Sequence, residues 1–83
     1  MMKVVLAGSS DVLEGEPADI VRAMQARAFG VDDLSLGEYI DWIVVQTRER
    51  VGVNLVVDGR TSPERTASLL EALVAHGLAE RVD

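Results

Sequence analysis

An α+β domain is the expectation from this sequence: a small mixed β-sheet of two or three strands, with three helices covering one face. Three kinds of observation lead there. Apolar residues recur at helical spacing in three separate stretches, and start or stop signals bound each one. Short β-branched runs stand outside those stretches. The resulting order of strand, strand, helix, helix, strand, helix is satisfied by two layers around one core.

Residues 3–7, KVVLA, are apolar and β-branched and read as the first strand. Gly8, Ser9, Ser10 and Asp11 are turn material. Residues 12–14 are a short return strand that closes a hairpin and ends at Gly15. Glu16 and Pro17 open the first helix, because proline suits the first helical position and Asp19 places a negative charge in the first turn. Ile20, Val21, Met24 and Ala28 share its apolar face, and Arg22 and Gln25 are expected towards water. Phe29, Gly30 and Val31 read as its ending.

The second helix carries the fullest set of signals. Ser35 and Glu38 have the spacing of a capping box, and Leu34 and Tyr39 that of a hydrophobic staple. Leu36, Ile40, Ile43, Val44, Thr47 and Val51 make the stripe. Gly52 followed by Val53 is a left-handed stop with its apolar contact. Residues 53–57, VNLVV, are expected to be a strand, with Val53, Leu55 and Val57 on one side. Asp58 and Gly59 turn the chain into the third helix, started by Thr61 with Glu64 or by Ser62 with Pro63. Ala67, Leu70, Leu73 and Val74 form its core face, with Leu69 at the edge. His76, Gly77 and Leu78 end it, and residues 79–83 are a polar tail or a short edge strand.

Eighty-three residues make a single domain, 1–83. A chain of this size buries only about 60–65% of its unfolded surface, so its stability as a monomer is modest. A hydrophobic content of 48% opposes disorder. With no cysteine, disulfides and thiolate chemistry are excluded. No apolar run is long enough to cross a membrane, and residues 1–8 lack the basic start of a secretory signal, so the expected location is cytoplasmic. The net charge of −6, with the basic residues scattered, disfavours both nucleic acid and anionic membrane as partners.

Chemistry-bearing constellations are sparse. His76, the single histidine, falls in the last turn of a helix, where positive charge is favoured and a structural role outweighs a catalytic one. Residues 3–10, KVVLAGSS, hold one glycine where a phosphate cradle needs several leading directly into a helix. Glu14 and Glu16 flank Gly15 as loop charges, and Asp32 and Asp33 have too few oxygen neighbours for a metal. No catalytic residue, cofactor or metal site is expected, and the chain does not read as an enzyme.

Two residues leave the stripe of the second helix. At about 100° per residue, Trp42 and Val45 fall on its far side. Another element of the same chain covers such a residue in most small domains. The sharper expectation is that Tyr39, Trp42 and Val45 form a contact patch for a partner, because Trp and Tyr are enriched at interface centres. The first strand is also apolar on both sides, which leaves one sheet face partly greasy. Both features point to a small protein–protein interaction module that binds a second copy of itself or another protein.

A DNA-binding regulator is the alternative. Residues 1–7 as a paired strand and 35–50 as a helix resemble parts of the ribbon-helix-helix family, which implies a strand shared between two copies and laid on DNA. The strand does not alternate polar readers, its link to the first helix is longer than that family uses, and the acidic balance opposes it.

Overall fold

The structure is a computed structural model that describes residues 1–82. Its elements are β1 (Met2–Leu6), β2 (Val12–Gly15), α1 (Pro17–Arg27), α2 (Leu36–Val51), α3 (Ser62–Ala75) and β3 (Ala79–Arg81). The sheet has three strands in the order β2-β1-β3, and both pairings are antiparallel, so it is not mixed. The α+β class and the layer of three helices are as expected from the sequence.

The third strand is the main correction. Residues 53–57 form no strand and join no ladder, and β3 takes the remaining edge of β1. A chain-reversing cap at the end of α3 makes this possible. Gly77 takes a left-handed conformation (φ 74°), Leu78 N–H donates to Leu73 O at 2.8 Å, and Gly77 N–H donates to Val74 O at 3.1 Å. Ala7 N–H then donates to Leu78 O at 3.0 Å, which lays the following residues along β1. The short edge strand was the alternative reading of the tail, and its polarity fits an exposed edge.

Register assigns the two faces of the sheet. Val4 pairs with Leu13 and with Arg81, and Leu6 with Ala79, so these residues share one side. Val4, Leu13 and Ala79 are buried there against the helices. Val5 pairs with Val12 and Glu80, and Lys3 with Glu14, so these point the other way. The helices contribute Ile20, Val21, Met24, Tyr39, Ile40, Leu69, Leu70 and Leu73 to the core.

Helix ends follow their local signals, with one exception. Ser35 Oγ accepts from Glu38 N–H at 3.2 Å, and Glu38 Oε1 accepts from Ser35 N–H at 2.9 Å, closing the capping box. Gly52 ends α2 at φ 76°. Thr61 is the N-cap of α3, with Pro63 inside its first turn. The exception is α1, which ends at Arg27 with Ala28 extended, so Phe29 lies wholly in solvent instead of serving a cap.

Gln25 and Val51 are also placed differently from the sequence reading. Gln25 is buried, and its Nε2 donates to Val31 O and Leu34 O, both at 2.8 Å. The loop after α1 folds back over the polar side of that helix and uses Gln25 as its anchor. Val51 is exposed, because Tyr39 and not Val51 completes the α2 stripe. On α3, Leu69 is fully buried and Val74 lies at the surface, a rotation of the core face by part of a turn.

Candidate interaction surfaces

Each residue of the expected contact patch has a different fate. Tyr39 is buried at 1% exposure, so it belongs to the core and not to a surface. Burial pushes its phenol up to about 12, because the charged tyrosinate loses hydration there. Trp42 is half-buried and stacks on Tyr39, with ring centroids 5.8 Å apart and planes 25° from parallel. Its inner side thus packs on the core cluster. Val45 is exposed at 38%. The patch therefore reduces to the outer part of Trp42 and to Val45, a narrow strip on α2.

A second uncovered apolar area is the outer face of the sheet. Val12 is 52% exposed and Val82 45%, and half-buried Val5 lies between them. Val5 stands directly opposite Val12, and Val82 N–H donates to Lys3 O at 3.0 Å, which sets Val82 diagonally from Val5. The three valines run diagonally across this face: Val12, Val5 and Glu80 make one cross-strand row and Glu14, Lys3 and Val82 the next, with Lys3 Nζ 4.0 Å from Glu14 Oε2. No helix lies on this side. The sequence signal for it was the double-sided apolar character of 3–7, and the missing information was which strands would flank it.

Ion pairs elsewhere stitch elements together at the surface. Arg65 Nη2 reaches Asp41 Oδ1 at 2.8 Å, tying α3 to α2 beside Gly37. Arg27 Nη1 reaches Asp11 Oδ2 at 2.7 Å, tying the end of α1 to the hairpin loop. Both pairs are solvent-accessible, and such pairs typically contribute well under about 1 kcal/mol each.

Geometry also speaks to the chemical alternatives. Gly8 and Ser9 lead into β2 and not into a helix, so the loop is a hairpin turn and presents no helix N-terminus to a phosphate. An open hollow of about 450 Å³ runs beside it, walled by Leu6, Gly8, Ser9, Gly77 and Glu80 among others. Its hydroxyl, Ser9 Oγ, already accepts from Asp11 N–H at 3.1 Å. His76 is exposed, and its backbone N–H, not its imidazole, makes the cap bond to Ala72 O. Among the described residues no group of three His, Cys, Asp or Glu side chains is placed to hold a metal ion. No described helix is long and apolar enough to cross a membrane. β1 has β2 on one edge and β3 on the other, leaving no edge for the shared ribbon that the ribbon-helix-helix resemblance implies.

No protein-family model, curated protein or solved structure matches this chain.

Proposed function

We propose that this protein is a self-associating protein–protein interaction module whose contact surface is the outer face of the sheet. The observation that carries the reading is the diagonal of exposed Val12, half-buried Val5 and exposed Val82 on that face. An antiparallel sheet can keep one side in water, but that side then reads polar at alternate positions. Here Val5, Val12 and Val82 share the outward side with the charged Lys3, Glu14 and Glu80, so half of these positions are apolar. A two-fold contact of this face with itself places the same patch on both copies. The fringe suits such a contact, because Lys3 of one copy can meet Glu14 or Glu80 of the other.

Magnitudes limit how tight this contact is. Fully burying a valine contributes about 1.5 kcal/mol, and partly shielded ones contribute less. Association costs roughly 4–15 kcal/mol in lost freedom. Three part-exposed valines on each copy offset only the lower end of that cost, so the face by itself supports a weak dimer. The narrow strip of Trp42 and Val45 is a smaller, secondary surface for another protein. The acidic balance keeps nucleic acid out of the reading.

Sedimentation from micromolar to millimolar protein tests this. The expected result is a concentration-dependent dimer that Val12→Glu dissociates while far-ultraviolet circular dichroism stays unchanged. A monomer at every concentration overturns the reading. Trp42→Glu is the poorer probe, because Trp42 also packs on Tyr39 and its loss destabilises the fold itself.

A further inference from the structure

The sheet ends on β2, and the phase of its ladder shows which backbone groups of that strand stay unpaired. Val82 N–H donates to Lys3 O and Ala7 N–H to Leu78 O, both at 3.0 Å, so Lys3, Val5 and Ala7 turn their backbone groups towards β3. Groups of an extended chain alternate between its two edges, so those of Met2, Val4 and Leu6 face β2. Ser9 N–H agrees, donating to Leu6 O on the hairpin side at 3.0 Å. Register then commits Leu13 and Gly15 to β1, and the N–H and C=O groups of Val12 and Glu14 point out of the sheet.

This edge is accessible. Both residues are exposed, Val12 at 52%. Among the described residues, no hydrogen bond outside the hairpin ladder engages their backbone groups. The amides at either end are occupied, Asp11 N–H by Ser9 Oγ and Glu16 N–H by Asp19 Oδ2. A short template for another extended chain remains between them. The far edge of the sheet differs, because its outward residue Ala79 on β3 is only 6% exposed.

We infer that β2 takes up, antiparallel along this edge, an extended lysine- or arginine-rich segment of another protein. Charge names the occupant. Asp11, Glu14 and Glu16 are exposed along the edge, in a chain whose net charge is −6. Arg27 pairs with Asp11, Lys3 with Glu14 and the Met1 amine with Glu16, all in solvent-exposed contacts of 2.7 to 4.0 Å. Such pairs are weak, so an incoming cation can replace them. The same carboxylates oppose a second copy. A two-fold at Leu13 would set Val12 opposite Glu14 and Asp11 opposite Gly15, gathering the acids of both copies along one seam. The edge thus turns away a like-charged chain and admits an oppositely charged one. In the added strand, residues bonded to Val12 and Glu14 lie on the outer side of the sheet, where a lysine opposite Glu14 meets its carboxylate. Alternate residues fall on the helix side beside buried Leu13, where an apolar side chain suits. This site leaves Val5 and Val82 uncovered and does not rest on the sheet-face reading.

A short peptide of alternating lysine and valine, acetylated and amidated, is the probe, and hydrogen exchange read by NMR is the measurement. Expected is a saturable slowing of about tenfold or more for the Val12 and Glu14 amides, with Leu13, already bonded to β1, changing less. No saturable slowing at Val12 and Glu14 overturns the inference. Methylating the lysine backbone nitrogens of the peptide, which face the edge, should abolish the protection, and methylating the valine nitrogens should spare it. Equal effects of the two overturn strand addition. An alternating glutamate and valine peptide should bind at least about tenfold more weakly, and equal binding overturns the basic occupant. Sedimentation of the protein without peptide separates this site from the sheet face. A dimer that gains no protection from the peptide rejects the edge site and leaves the sheet-face reading standing. A monomer at every concentration whose Val12 and Glu14 amides the peptide protects supports the edge site, and the sheet-face reading fails.

Discussion

Gln25 holds more of this fold than its residue type suggests. Its amide donates to two carbonyls, Val31 O and Leu34 O, and so closes the loop that carries the chain from α1 to α2. A leucine of similar length would leave both carbonyls without that donor in a buried setting. The expected cost of Gln25→Leu is about 1–3 kcal/mol, read as a lower urea midpoint with an unchanged slope. Tyr39 makes a residue-scale statement about pH. Its folded phenol is raised to about 12 against an ordinary value of 10.0. A raised value means that the contribution is fully present below the unfolded value and is lost as pH rises through the folded one. Stability should therefore fall between about pH 10 and 12 in an alkaline titration followed by circular dichroism. Tyr39→Phe should flatten that fall, and a slope unchanged by the substitution would place its cause elsewhere.

At the scale of elements, α2 shows how much a helix owes to its two ends. Glu38 is held below the usual carboxylate range, first by the backbone N–H of Ser35 and then by the Ser35 side chain. A lowered folded value gives a contribution present above the unfolded value and lost as pH falls through the folded one. Glu38→Gln removes the titrating carboxylate, so the acid limb of the stability curve should become shallower in that variant, whereas Ser35→Ala keeps the backbone N–H, removes only the lesser side-chain partner and should change the limb less. At the other end, Gly52 sits at φ 76°, a conformation that costs a side-chain-bearing residue about 1–2 kcal/mol. No atom lies within 4 Å of a Cβ added there, so Gly52→Ala should lose stability through backbone strain alone. Gly59 is different in kind. It combines φ 120° with a Cβ position 2.7 Å from Glu64 Cβ, so Gly59→Ala should cost more than Gly52→Ala in the same thermal melt. Thr66 is the element-scale surprise of α3. It is fully buried, and its hydroxyl donates back to Ser62 O at 2.8 Å, which lets a polar residue occupy a core position.

For the molecule as a whole, charge and apolar surface oppose each other. In the proposed self-association two copies each carrying −6 would repel, and the apolar sheet face would have to outweigh that repulsion. Added salt screens that repulsion, so self-association should tighten from about 0.02 to 0.3 M sodium chloride, where the Debye length falls from roughly 20 to 6 Å. A protein bound to nucleic acid would weaken over the same range. Association that loosens with salt would move the driving force from valines to the fringe of Lys3, Glu14 and Glu80. What could be read from the linear chain follows one rule of range. Caps, stops and stripes act over three or four residues, so Ser35, Glu38, Gly52, Thr61 and the hairpin turn were all legible, as was the excess of apolar surface on β1. Contacts between distant segments were not. The alternating apolar pattern of 53–57 is local, but becoming a strand requires an edge, and both edges of β1 went to β2 and β3. Gln25 looked solvated because nothing near it in the chain announces the loop that covers it. Tyr39 and Trp42 lie on adjacent parts of one helix surface, and packing against the other elements enclosed the phenol and left part of the indole in water. Local backbone energetics thus settled which elements form, while competition for the few edges and faces of a small core settled which of them meet.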